Sequence, residues 1–391
     1  MDDQPLGPGT SDAPNDGHSF AALLRYFLHL GTFGFGGPIA TVGYMQRDLV
    51  ERREWLDREE FLNGVALGQT MPGPLAAQVA MWVGYLRRGV LGAFAVALAF
   101  IIPSFIAVLA VAFFYVKFNG LEWVQGLFYG IAPGVMAIIA IAAVKLARLT
   151  NGHDARLWVI TLVIGLVTAI TGTEVAILFI AAGLLMIALE APPRSFRGRG
   201  SVAVALPPLA RSLLLGTATT GTLVALGLFF LKAGAFIFGS GLAIVPFLRE
   251  GVVNQHHWLN NRQFLDAVAM GLITPGPVVI TATFIGYLVG GFAGAIVATV
   301  AIFTPIYLGV VLPAGWFLRH RQNPQLRAFV KGATAAAAGA IAGATVVLVR
   351  GAVVDLPTTA IALIALAALW RFKVPEPVIV VVAGAAGLLL H

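Results

Sequence analysis

Long apolar runs restrict the fold of this chain more than any other feature of its sequence. They fill most of the length after about residue 20, and several reach the roughly 20 residues that a helix needs to cross a bilayer core. Only 11% of the residues are charged, whereas a water-soluble domain has roughly 25%. The alternating pattern of barrel strands is absent, so the spans are predicted to be helical. The predicted fold class is an all-α polytopic membrane protein.

Charge and cysteine content exclude several functions. The formal charge of +7 comes from basic residues in short loops between apolar runs. Membrane topology produces this distribution, so nucleic acid is not an expected partner. Because the chain has no cysteine, disulfides, thiolate metal sites and cysteine nucleophiles are excluded. Residues 1–19 are acidic, rich in Pro and Gly and lack Lys and Arg, which predicts a disordered tail rather than a signal peptide.

The chain contains one sequence unit twice. Matching motifs recur at an offset of 203 residues, which becomes 202 after the loss of one residue. The pairs are Phe-Gly-Gly at 35–37 with Phe-Gly-Ser at 238–240, Trp55-Leu56 with Trp258-Leu259, Pro72-Gly73-Pro74 with Pro275-Gly276-Pro277, and Gly84-Tyr85 with Gly286-Tyr287. The predicted organisation is a first repeat over 20–190, a basic cytoplasmic linker over 191–212 and a second repeat over 213–391. Such repeats are typical of transporters with a site between the copies near the bilayer midplane.

The basic residues predict that the two copies are inverted. We place each Pro-Gly-Pro motif at the tip of a re-entrant hairpin and let the first glycine motif of each copy break a crossing helix. Nearly all Lys and Arg then fall on one face, which would be cytoplasmic. The exceptions are Arg25, Lys117, Arg249, Arg262 and Arg350. This arrangement has about five crossings plus one hairpin per copy and both termini outside. Six full spans per copy would make the repeats parallel and scatter the arginines over both faces.

The glycine and proline motifs predict broken helices at membrane depth, where irregular backbone is tolerated only if it lines a protein cavity. Proline favours the first position of a helix, so Pro38, Pro74 and Pro277 predict half-helices whose free N–H groups and positive dipole ends face the gap. With Gly241 as a fourth start, the arrangement suits a compact oxyanion. The alternative is that the glycines only allow packing and the prolines only kink helices. Gly339 and Gly343 are assigned to packing alone.

The candidate substrate-binding residues follow from these breaks. They are Gly36, Gly37, Pro38, Gln69, Thr70, Pro72, Gly73, Pro74, Gly239, Ser240, Gly241, Thr274, Pro275, Gly276 and Pro277. The polar side chains among them could equally bond back to helix carbonyls. His29 and Lys232 share one repeat position before the first break and are also candidates, with snorkelling as the alternative. Glu59, Glu60 and Asp266 flank the hairpins, where helix capping competes with proton coupling.

At these residues the sequence resembles the chromate ion transporter family in its long, two-unit form. The resemblance rests on FGGP at 35–38, QTMPGP at 69–74 and TPGP at 274–277, and it extends over nearly the whole chain. It implies export of chromate across the bacterial inner membrane, driven by the proton gradient, and hence chromate resistance. The second copy departs from the first at Ser240-Gly241 and Ile273-Thr274, so the halves need not contribute equally.

Three classes of function remain to be compared. The first is a proton-coupled exporter of chromate, sulfate or another dianionic oxyanion, and the second is a passive anion channel. The third is a membrane enzyme, which would require a nucleophile, base or metal set within the apolar region. None is visible in the sequence, so neither enzymatic activity nor a cofactor is expected. The expected partners are the oxyanion, protons and the lipid bilayer, and a homodimer is a further expectation.

Overall fold

The computed structural model describes residues 19–35, 37–118, 122–171, 176–192, 220–237, 241, 244–316, 323–372 and 374–390. Within these ranges all regular secondary structure is helical, which confirms the predicted class of fold. The predicted N-terminal tail and nearly all of the linker lie outside the described residues. So do three candidate site residues, Gly36, Gly239 and Ser240.

The two copies have the same order of helices. In the described part, the first copy contains α1 (Phe20–Phe33), α2 (Gly37–Met45), α3 (Arg58–Thr70), α4 (Leu75–Phe118), α5 (Glu122–Asn151), α6 (Ala155–Thr171) and α7 (Ala176–Glu190). The second contains α8 (Thr220–Ala235), α9 (Ile244–Arg249), α10 (Asn261–Ile273), α11 (Thr281–Val311), α12 (Pro324–Ala352), α13 (Leu356–Ala367) and α14 (Glu376–Leu390). The π-helical turns Gln46–Arg52 and Glu250–Gln255 follow α2 and α9, and Ala368–Phe372 extends α13. The repeat of sequence is therefore also a repeat of structure.

Unusual backbone angles recur at equivalent positions of the two copies. The pairs with positive φ are Glu54 with His257, Gly73 with Gly276, and Gly89 with Gly291. The last pair interrupts the long helices α4 and α11, where Gly89 and Gly291 have φ of 57° and 59°. Only glycine adopts this region of backbone space at little cost. The shared breaks mean that each long helix turns sharply at the same place in its copy.

Each Pro-Gly-Pro motif forms the tip of a helical hairpin. Helix α3 has 13 residues, so it is about 20 Å long and too short for a bilayer core of about 30 Å. The chain turns after α3 and returns along the first part of α4, where Trp82 Nε1 donates to the Glu60 carbonyl at 3.0 Å. At the open end the Arg87 guanidinium donates to the Trp55 carbonyl. Both ends of the hairpin therefore lie on one side.

The first glycine motif also forms a hairpin, so the prediction that α1 and α2 make one broken crossing is wrong. The Arg53 guanidinium carbon lies 5.4 Å from the centre of the Tyr26 ring. In a broken crossing these residues would be roughly 40 Å apart, at 1.5 Å per residue. The second copy folds back in the same way, because the Phe229 ring lies 5.5 Å from Phe247 and 5.8 Å from His256. Each copy thus has two hairpins and fewer crossings than predicted.

The N-terminal end of α1 accordingly lies on the arginine-rich side. Arg88, at the break in α4, places its guanidinium carbon 4.9 Å from the centre of the Phe20 ring. The start of α1 is therefore on the same side as the open end of the second hairpin. The prediction that the N-terminal end lies on the opposite side is wrong for the same reason as the predicted crossing.

Four helical stretches in the described part are long and apolar enough to cross a membrane. They are Leu75–Phe118, Glu122–Asn151, Val278–Trp316 and Pro324–Ala352. Shorter helices such as α6 present large apolar side chains outward, and Leu162 and Ile170 are 67% and 75% exposed. Helix α12 packs closely against α6, because a β-carbon at Gly339 or Gly343 would overlap the carbonyls of Thr161 or Gly165. The packing role predicted for these two glycines is confirmed.

Candidate functional site

The two Pro-Gly-Pro turns each pack against a long helix of the other copy. A β-carbon at Gly73 would lie 3.1 Å from Ile306 Cγ2 on α11. A β-carbon at Gly276 would collide with Ser104 Oγ on α4. Ser104 and Ile306 occupy the same position in the two copies, and each follows a proline within its helix. The interface between the copies therefore carries one reciprocal contact, made twice.

Ser104 connects α4 with two other backbone segments, the second Pro-Gly-Pro turn and the end of α1. Its hydroxyl donates to the Pro275 carbonyl at 2.6 Å and lies 3.4 Å from the Gly31 carbonyl near the end of α1.

Gly241, the start proposed for the fourth half-helix, lies between the turns. A β-carbon there would be 3.6 Å from Pro74 Cβ and 3.5 Å from Val278 Cβ. The sequence-predicted residues Gly73, Pro74, Gly241, Pro275 and Gly276 are thus brought into one region.

The two hairpin prolines precede their helices by one residue, whereas the sequence predicted them as first helical residues. The Pro74 carbonyl accepts from the Gln78 N–H at 3.1 Å, so Pro74 caps α4. Pro277 has extended backbone angles, φ −76° and ψ 131°, and caps a 3₁₀ turn, Val278–Ile280, that leads into α11. A capping residue keeps non-helical angles while its carbonyl accepts the first helical bond. The first N–H groups after each capping proline precede the first helical bond and so have no acceptor within their own helix.

The Gly73 N–H has a protein partner in the other copy. It donates to the Ile237 carbonyl, just after α8, at 2.6 Å. Gly73 itself is buried, with φ of +146°, which favours glycine. The tip of the Pro-Gly-Pro hairpin of the first copy is thereby tied to the glycine-motif hairpin of the other copy. In this conformation the donors nearest the tip belong to the first turn of α4.

Gln78 is a buried polar residue beside the Pro-Gly-Pro turn of the first copy. Its side chain is fully buried against Gly73, and Nε2 donates to the carbonyls of Met71 and Pro72 at 3.2 and 2.9 Å. Its Oε1 is buried and has no hydrogen-bond partner among the described residues. A buried acceptor without a partner costs about 1–3 kcal/mol, so this oxygen marks a place where a donor can bind. In the sequence, the signal for this residue is an amide inside an otherwise apolar helix.

The threonines beside the turns bond back to their own helices. Thr70 Oγ1 donates to the Ala66 carbonyl at 2.7 Å, and Thr274 Oγ1 donates to the Met270 carbonyl at 2.8 Å. Each hydroxyl proton is therefore used locally, which is the alternative that the sequence left open. Gln69 is exposed at the end of α3. Backbone groups, rather than these side chains, are therefore the candidate donors of the site.

His29 and Lys232 are not brought to the turns by any contact in the described part. Both side chains are exposed. The His29 ring lies 4.9 Å from Phe33, and the Lys232 ammonium lies 5.8 Å from the Phe247 ring. These contacts resemble long or amphipathic side chains lying along an apolar surface. The first-copy motif at Gly37 and Pro38 begins α2, but the side chains there are not described.

The three flanking acids fall into two kinds. Glu59 and Glu60 lie in the first turn of α3, where carboxylates complement the helix dipole. Asp266 instead lies inside α10, is 2% exposed, and accepts a hydrogen bond from Tyr115 of the other copy at 2.7 Å. No group of three or more metal-ligating side chains occurs in the described ranges.

Two structural repeats, membrane-length apolar helices and broken helices that meet between the copies define a class of protein, the two-repeat membrane transporters. The sequence model of the chromate transporter family matches residues 21–187 and 224–388, one match per copy. The chain belongs to this family.

Related proteins align with this chain over nearly its full length. The chain is 51% identical over 376 residues to a chromate transport protein of Cupriavidus metallidurans, covering 96% of this chain and 94% of the relative. It is 50% identical over 376 residues to a probable chromate transport protein of Synechococcus elongatus, covering 95% and 96%. It is 30% identical over 402 residues to a chromate transport protein of Pseudomonas aeruginosa, covering 97% and 95%. No solved structure matches the chain.

Proposed function

We propose that this protein exports chromate across the bacterial inner membrane in exchange for protons and thereby confers chromate resistance. The observation that carries the proposal is the reciprocal packing of the two Pro-Gly-Pro turns against Ser104 and Ile306. It brings the N-terminal ends of two helix segments to one interior region between the copies. The names of the relatives, which describe chromate transport, supply the substrate class.

The proposed substrate site uses backbone rather than cationic side chains. Helix starts carry partial positive charge and N–H donors, and they bind tetrahedral oxyanions without a bulky side chain. The described part of the chain has no buried Lys or Arg. Chromate and sulfate share shape and charge, so the same backbone N–H donors bind both ions. Sulfate is therefore the competitor against which selectivity has to be measured.

We also propose that the copies are inverted in the membrane. If α4 to α7 each cross, Glu190 at the end of α7 returns to the arginine-rich side, where it pairs with Lys331 near the start of α12 at 3.0 Å. At the other side, Tyr129 near the start of α5 donates to Asp355, just after α12, at 2.5 Å. The equivalent helices α5 and α12 therefore run in opposite directions. Because α1 folds back, Arg25 joins the arginine-rich side and the bias expected of a cytoplasmic face increases.

Everted membrane vesicles test the proposed activity directly. Their cytoplasmic face points outward, so export appears as uptake of chromate into an acidified lumen. We expect uptake above the external concentration, collapse of the gradient with an uncoupler, and competition by sulfate. Vesicles without the protein are the control. With the membrane potential clamped at zero, uptake that equilibrates but never exceeds the external concentration, with or without the uncoupler, would instead identify a passive anion channel.

A further inference from the structure

Asp266 is a buried acid at the interface between the copies. It is 2% exposed, and it is the one charged side chain among the buried residues of the described ranges. An ionisable residue in this setting is expensive and is usually retained for function. Its equivalent in the first copy is Asn63, so the carboxylate occurs in one hairpin only.

The Asp266 carboxylate interacts with two polar groups, the Tyr115 hydroxyl and the Arg262 guanidinium. Tyr115 of α4 donates its hydroxyl at 2.7 Å, and the rings of Phe128 and Phe284 each lie 5.2 Å from the Tyr115 ring. Among the described residues, the charged side chain that interacts electrostatically with this carboxylate is Arg262, which lies one turn earlier on α10. Its guanidinium reaches the Gln125 carbonyl at the start of α5, at 3.4 Å. Asp266 thus lies one helical turn inside the open end of its hairpin.

Helix α4 holds this hairpin at two points. Ser104 bonds to the tip through the Pro275 carbonyl, and Tyr115 bonds to the shaft through Asp266. The two α4 residues are eleven positions apart, which is about three helical turns, so they lie on one face. The equivalent face of α11 is apolar and fully buried, with Ile306 and Val310. Against the long helix of the other copy, the second hairpin therefore makes hydrogen bonds, whereas the first makes apolar contacts.

We propose that Asp266 and Tyr115 form the proton-operated latch of the transporter, an inference that rests on the proposed function. A proton from water at the outer side joins the Asp266 carboxylate, the hydronium becomes water, and the Tyr115 O–H bond stays intact. The neutral acid no longer makes a charge-assisted hydrogen bond, which is roughly twice as strong as a neutral one. The second hairpin then separates from α4, and its tip moves with it. Loss of the proton restores the latch.

The test variant is Asp266→Asn, which keeps an oxygen for Tyr115 to donate to but cannot take up a proton. Purified protein is reconstituted in liposomes with an acidic lumen and a clamped membrane potential. A pH gradient of one unit supports about tenfold accumulation of chromate per coupled proton. We expect this accumulation in the wild type and about onefold in Asp266→Asn. Counterflow of labelled chromate against unlabelled chromate needs no proton and should be retained.

Two variants serve as controls. Glu59→Gln removes an exposed acid from the first turn of the equivalent hairpin and should keep the gradient response. Asp266→Glu keeps a carboxylate and should show part of the gradient response of the wild type. A gradient response of Asp266→Asn equal to that of the wild type overturns the latch, and so does loss of counterflow, which indicates a binding or structural role. A wild type without chromate counterflow refutes the proposed function itself.

Discussion

Gly276→Ala is the most direct probe of the contact between the copies. Gly276 has φ of +103°, and a β-carbon there would collide with Ser104 Oγ. The backbone strain costs about 1–3 kcal/mol. Displacing Ser104 also breaks its bond to the Pro275 carbonyl, worth about 0.5–1.5 kcal/mol. We expect the free energy of unfolding to fall by the sum of these two costs. The thermal unfolding midpoint in detergent measures this loss, because it should drop by about 2–4 °C per kcal/mol for a domain of the size of one repeat.

A double-mutant cycle separates the collision from the strain. In a Ser104→Ala background the clashing oxygen is gone, so Gly276→Ala should cost at least about 0.5 kcal/mol less than it does alone. Gly291→Ala is the matched control, because Gly291 has φ of +59° and an added β-carbon would have no neighbouring atom within 4 Å. Its cost should add to that of Ser104→Ala. If the costs of Gly276→Ala and Ser104→Ala also add, the two residues do not touch and the reciprocal contact is wrong.

The topology and the site lead to three more predictions. Because the chain lacks cysteine, single cysteines at Phe20 and Arg58 should react with an impermeant reagent from one side and a cysteine at Arg262 from the other; labelling of all three from one side contradicts inversion. Lys232→Ala should keep chromate transport within about twofold of wild type, since the side chain is exposed; a tenfold loss would return this lysine to the site. Gln78→Leu, which leaves two carbonyls without their donor, should lower the unfolding free energy by about 1–3 kcal/mol; an unchanged midpoint contradicts the buried bonds.

Much of the architecture could be predicted because each structural motif occurs in both copies of the repeat, so that one copy supports the interpretation of the other. The Pro-Gly-Pro motifs end up at hairpin tips in both copies, and Gly73 and Gly276 both have positive φ. Gly339 and Gly343 pack against a neighbouring helix, as a spacing of four on one helix face indicates. In each case local chemistry alone is sufficient, since a glycine turn or a small-residue stripe has few structural solutions.

The hairpin at the first glycine motif could not be predicted because length and charge fit two arrangements. A segment from Phe20 to Arg53, with a glycine break in its middle, is long enough for one broken crossing or for two short helices that fold back. The contact between Arg53 and Tyr26 decides between them, and it joins residues 27 positions apart. Hydropathy contains no information on that pairing. Charge bias does not reveal it either, because only Arg25 changes sides.

Ser104 could not be found from the sequence for a related reason. A single hydroxyl in an apolar helix normally bonds back to its own backbone, as Thr299 does to the Ala295 carbonyl at 2.7 Å. Ser104 instead bonds to a carbonyl 171 positions away. The distinction depends on the neighbouring hairpin, whose bent backbone presents a carbonyl to one turn of α4. For the same reason the partner of the Gly73 N–H could not be predicted, since its acceptor belongs to the other copy.

Two differences between the copies lie where the copies touch. Ser104 corresponds to Ile306, and Asn63 corresponds to Asp266, so the two hairpins make different contacts with the long helix of the other copy. Apolar packing at Ile306 does not change with protonation, because no titratable group takes part in it. In the proposed latch the contact at Asp266 does change, because a proton removes the charge that the Tyr115 hydroxyl binds. In the proposed mechanism one hairpin therefore responds to protons and the other does not, and this asymmetry would let a single proton site act on one side of the proposed oxyanion site.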